Sequence, residues 1–96
     1  MATLERAIGI AAEAHAGQLD KTGAPYIAHP MRLMARFLAG GNEESAIIAA
    51  LHDVVQDSRW TLDDLHREGF SPEILSAIEA LTRREQRNGL EDVCLA

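Results

Sequence analysis

The chain has 96 residues, of which 47% are hydrophobic and 25% charged, and a formal net charge of -6. These values fit one globular domain and exclude a disordered or fibrous chain. The acidic excess argues against a general nucleic-acid binder, because phosphate backbones are held by surplus Lys and Arg. The single cysteine, Cys94, allows no intramolecular disulfide, and the sequence carries no charged n-region followed by an apolar run. No apolar stretch approaches the roughly 20 residues that a membrane span requires. A soluble cytoplasmic protein is therefore expected. Its aromatic content is only 4%, so Leu, Ile, Val and Ala must fill the core.

The spacing predicts a first helix from Thr3 to about His15, with Leu4, Ile8, Ala11, Ala12 and His15 on one face. Thr3 is placed to cap it, and Glu5 lies in its first turn. From Gly17 to Pro25 the residues Gly17, Asp20, Gly23 and Pro25 break any period, which predicts a polar loop able to carry function. A second helix is expected from around His29-Pro30 through Leu33, Met34, Phe37 and Leu38 to a stop at Gly40-Gly41. Asn42 then caps a third helix, with Glu43 and Glu44 in its first turn and an apolar run from Ala46 to Leu51 that leads into His52-Asp53. Being apolar nearly all round, this element should be the central buried helix.

Thr61-Leu62-Asp63-Asp64 reads as the start of a short helix reaching about Arg67, ended by Gly69. Ser71-Pro72-Glu73 opens another, with Ile74, Leu75, Ile78 and Leu81 along one stripe. The tail from Arg83 to Ala96 contains an Asn88-Gly89 turn signal. With no strand alternation anywhere, the predicted fold is an all-α bundle of about five helices.

The sharpest local feature is His52-Asp53-Val54-Val55-Gln56-Asp57. Adjacent helical residues project about 100° apart, so His52 and Asp53 can straddle one metal ion, with Asp57 one turn beyond. An imidazole beside a carboxylate suits zinc, manganese or iron. The competing reading is a solvated helix end, where a histidine interacts well with the helix dipole. Two polar groups directly after an apolar run weigh against it, since burying them without partners costs several kcal/mol.

His29 is the natural third ligand, because its helix must pack against the central one. Arg32 and Arg36 share the face of His29 and could meet a phosphate-bearing substrate or simply solubilise that face. His15, on the apolar stripe, reads as a hydrogen-bonded structural histidine. His66 reads as a surface residue, Trp60 as a packing anchor after the central helix, and Cys94 as inert.

Three segments together resemble the hydrolase domain of the RelA/SpoT alarmone enzymes and the small stand-alone alarmone hydrolases. They are Ala11-Ala12-Glu13-Ala14-His15-Ala16-Gly17-Gln18, Lys21 through Pro30, and Ala50 through Asp57. Trp60 to Leu65 and Ala80 to Arg83 extend the likeness, which covers about residues 4 to 85. The resemblance implies an HD-type metal-dependent phosphohydrolase domain over residues 1–85 and a divergent tail over residues 86–96. It also implies a manganese ion and removal of the 3′-pyrophosphate from guanosine tetraphosphate. By the same resemblance His29, His52 and Asp53 are the metal ligands, Gln56 and Asp57 the catalytic positions, and Lys21 and Tyr26 substrate contacts in the loop that Tyr26 and Pro25 shape, which Arg32 is expected to join from the face of His29.

Two departures stand out. The family's HDxxED string has Gln56 in place of its Glu, and an amide cannot act as a general base. The family's fourth metal ligand, an aspartate in a later helix, has no counterpart in the chain unless Glu91 or Asp92 substitutes. The resemblance thus leaves two readings, a weakened guanosine polyphosphate hydrolase or a non-catalytic nucleotide- or metal-binding module. A homo-oligomer covering an exposed apolar face is expected with either.

Overall fold

A computed structural model describes the backbone of residues 2–95 and the side chains of residues 2–84. Six helices follow in chain order: α1 (Leu4–Ala14), α2 (Ala28–Ala39), α3 (Glu43–Leu51), α4 (Val54–Asp57), α5 (Leu62–Glu68) and α6 (Pro72–Leu95). Five are the expected helices, and α4 is a single extra turn. Among the described residues there is no strand, only one isolated bridge between Leu19 and Pro25. No helix among them is long and apolar enough to cross a membrane.

The helix starts follow from local chemistry. Thr3 accepts from the Arg6 N–H at the head of α1, and Asn42 accepts from the Ser45 N–H at the head of α3. Thr61 and Asp64 close a reciprocal capping box on α5. That helix ends at Gly69, whose φ of 101° lies in the left-handed region that glycine enters without a Cβ clash. In α2 the first helical residue is Ala28, one before the expected start. Pro30 falls within the first turn, where backbone N–H groups lack helical partners anyway.

The core is aliphatic, as the low aromatic content requires. Ile10, Leu51, Val54, Leu65 and Ile78 are fully buried, each worth about 1.5–3 kcal/mol in removed apolar surface. As expected, α3 is the central element, packing against α1, α2 and α6, with Ala46, Ile47, Ala49, Ala50 and Leu51 buried. Trp60 packs against the same core, and His66 is exposed.

Three details differ from the sequence expectation. The buried stripe of α1 is Ala7, Ile10 and Ala11, continued by His15, whereas Ala12 is exposed. Alanines lie all round this helix, so hydropathy alone cannot orient it, and packing against α3 selects the face. The central helix ends at Leu51, so His52 and Asp53 form a turn between α3 and α4 rather than the last turn of one helix. Helix α6 runs through the Asn88-Gly89 turn signal. A single glycine costs a helix only about 1 kcal/mol, and its neighbours Gln86, Arg87, Leu90 and Glu91 are mostly good helix formers.

Candidate metal centre

His29 stands in the first turn of α2, and His52 and Asp53 occupy the turn that follows α3. Because α2 lies along α3, the three side chains meet. One ligand atom from each lies within 4.8 Å of the others, with His29 exposed and His52 and Asp53 buried. The His29 and His52 ring centroids are 5.7 Å apart.

Hydrogen bonding orients the set. His52 Nδ1 is 2.6 Å from the Ala49 carbonyl oxygen, which can only accept. This places a ring proton on Nδ1 and leaves Nε2 as the nitrogen that could ligate a metal. Nε2 in turn lies 3.0 Å from Asp53 Oδ2. A lone pair and a carboxylate oxygen repel at that distance unless a proton or a cation mediates between them. A second imidazole within reach completes a nitrogen and oxygen donor set of the kind borderline divalent metals accept, so the residues present fit such an ion.

Tyr26, at the end of the loop between α1 and α2, donates its hydroxyl to Asp53 Oδ2 at 2.5 Å. Its ring lies 5.8 Å from that of His29 and 5.0 Å from that of His15. The sequence reading placed Tyr26 among the substrate contacts, and no local signal announced a bond to Asp53 across 27 positions.

His15 is buried, and its Nδ1 lies 2.9 Å from Gln18 Oε1, which agrees with the structural role expected of it. Its Nε2 is buried with no hydrogen-bond partner. The Gln18 amide donates to the carbonyl oxygen of Asp57 at 2.8 Å, tying the loop to α4. No local sequence signal announces this bridge either.

The loop is ordered around Asp20, whose Oδ1 accepts from the Thr22 hydroxyl at 2.6 Å, the Thr22 N–H at 2.8 Å and the Ala24 N–H at 3.0 Å. These bonds, the Thr22 hydroxyl foremost, hold the Asp20 carboxyl below its ordinary value, and the charge of Arg32 adds a smaller effect. Gly23 turns the loop with a φ of 87°. Lys21 is exposed on it, and Arg32 is exposed one turn beyond His29.

Gln56 is exposed on α4. Asp57 is also largely exposed, but the protein behind it removes part of its hydration and Asp53 adds negative charge nearby. Both raise its carboxyl above the ordinary value, partly offset by His15 and His52. An open apolar groove of about 310 Å³ adjoins His52, between Leu33, Phe37, Ile48 and Leu81. Glu91, Asp92 and Cys94 lie outside the residues whose side chains are described.

The HD domain family matches residues 7–93. The chain belongs to the HD domain family. This family is one of metal-dependent phosphohydrolases, in keeping with the cluster just described. The HD domain is 35% identical over 81 residues to the guanosine-3′,5′-bis(diphosphate) 3′-pyrophosphohydrolase of Aquifex aeolicus, covering 83% of this chain and 12% of that protein. The corresponding protein of Borreliella burgdorferi is 36% identical over 80 residues, covering 81% of this chain and 12% of the relative. A probable GTP pyrophosphokinase of Mycobacterium leprae is 32% identical over 87 residues, covering 90% of this chain and 11% of the relative. The chain thus spans about a tenth of the length of these curated relatives, 11–12% of each. The resemblance read from the sequence stands.

Proposed function

We propose that this HD domain hydrolyses guanosine 3′,5′-bis(diphosphate) or a close relative, releasing pyrophosphate from the 3′ position, at a rate reduced by Gln56. The observation that carries this reading is the meeting of His29, His52 and Asp53 within 4.8 Å. In this reading those three side chains hold a divalent cation, with manganese the choice that the family resemblance favours. When bound, such an ion supplies Lewis acidity toward a phosphate oxygen and lowers the pKa of water. Asp57, with its raised carboxyl, takes the proton of the attacking water. Lys21 and Arg32 offset the phosphate charge.

A second reading is a non-catalytic HD module that binds a nucleotide or a metal without turnover. Gln56 favours it, because its amide takes no proton at the position where the resemblance has a carboxylate. One experiment separates the two readings. The metal content of protein purified without chelator is measured, followed by pyrophosphate release from guanosine 3′,5′-bis(diphosphate) with added manganese. The hydrolase reading expects bound metal and release that His52→Ala abolishes. Bound metal with no release leaves the module, and absence of both removes the metal centre.

A further inference from the structure

We infer that Tyr26 is a positioning residue for the carboxylate of Asp53, so that the loop between α1 and α2 sets how tightly the cluster grips a cation. The inference rests on the reading of His29, His52 and Asp53 as ligands. Asp53 is only 4% exposed, and a buried polar group needs hydrogen-bond partners. The Tyr26 hydroxyl supplies one at 2.5 Å, on the same Oδ2 that faces His52 Nε2 at 3.0 Å. Rotation of the carboxyl out of the cluster would break both relations at once. Leaving a buried acceptor without its donor is costly, so the hydroxyl holds the carboxyl in place.

The phenol is itself held in place. Its ring sits between His15 at 5.0 Å and His29 at 5.8 Å. Its backbone N–H donates to the Gln18 carbonyl at 2.9 Å, closing the loop that Asp20 organises from within. The loop's conformation therefore reaches the cluster through one oxygen atom. Partners of this kind, which orient a ligating group without binding the ion, typically change metal affinity by about 10–100-fold.

The test is Tyr26→Phe, which keeps the ring and its two aromatic neighbours and removes the hydroxyl. Wild type and variant are titrated with Mn²⁺ by calorimetry and with Co²⁺ by visible absorption, and metal-free samples are melted to check the fold. The expected result is affinity about 10–100-fold weaker in the variant, with an altered cobalt spectrum and a similar metal-free melting temperature. If wild type binds neither ion, the ligand reading fails and this inference falls with it. If both proteins bind alike and give the same cobalt spectrum, the ligand reading stands and the role of Tyr26 is overturned. Equal metal affinity with a raised KM would make Tyr26 a substrate contact and would also overturn it. Should Tyr26→Phe not fold, the chain's single tyrosine can be replaced by 3-fluorotyrosine. Its ¹⁹F resonance should then move on titration with Zn²⁺, and a fixed resonance in a zinc-binding protein overturns the inference.

Discussion

Position 56 is where the proposed chemistry and the residue present diverge most. A carboxamide has the shape of a carboxylate but no basicity, so Gln56 can orient a water and cannot deprotonate it. Gln56→Glu should raise pyrophosphate release with manganese, by up to about 10²–10⁴-fold if proton transfer limits the rate. An unchanged rate would mean that position 56 does not face the water. Conversely, Asp57→Asn should lower whatever rate exists, by about 10²–10⁴-fold, and leave the metal content as in wild type. Loss of metal in that variant would make Asp57 part of the cation site. The two substitutions separate proton transfer from coordination, which His52→Ala alone does not.

All the helices but α6 are short, and their ends carry much of their definition. On α5 the Thr61 hydroxyl and the Asp64 carboxylate satisfy each other's backbone N–H groups, at 3.1 and 3.0 Å. Thr61→Ala should cost about 1 kcal/mol in chemical denaturation, because it leaves an N–H of the first turn without an acceptor. The same helix is tied to α1 by Glu68, which accepts from Arg6 Nε at 2.7 Å and from its terminal nitrogen at 2.8 Å. That contact, chiefly the hydrogen bond itself, holds the Glu68 carboxyl below its ordinary value of 4.5. A depressed carboxylate contributes stability that is complete above the unfolded pKa and is lost as pH falls through the folded one. The melting temperature should therefore begin to decline as pH drops below about 4.5, the value Glu68 has when unpaired. In Glu68→Gln part of that decline should vanish, and an identical acid profile would mean that the pair contributes nothing measurable. Arg6 is exposed and Glu68 partly so, and the effect should therefore shrink with added salt.

At the scale of the whole molecule, apolar surface stays exposed among the described residues. Phe37 and Leu38 on α2 are 42% and 38% exposed, and Phe37 borders the groove that runs past Leu33 and Leu81 to His52. If the expected homo-oligomer forms, this apolar face is the one a second copy of the chain would cover. Light scattering behind size exclusion should return more than the monomer mass of 10.5 kDa, and Phe37→Glu should shift it toward the monomer. A stable monomer at high dilution would remove the expectation.

The order of the helices, their caps and the buried character of α3 were legible in the sequence, because these follow from neighbours within one or two turns. Thr3, Asn42, Thr61 and Gly69 act on backbone groups at most a few residues away. His52 and Asp53 were conspicuous because they follow an apolar run, and His29 joined them because its helix had to pack against the central one. What the chain order concealed were contacts made across the fold. The Tyr26 bond to Asp53 and the Gln18 bond to the Asp57 carbonyl join segments that local periodicity treats as separate. The burial of Ala7 and Ile10 in place of Ala12 likewise waited on which side of α1 met α3. Hydropathy and capping act along the chain, whereas orientation and the donors around a buried carboxylate are settled by packing between elements.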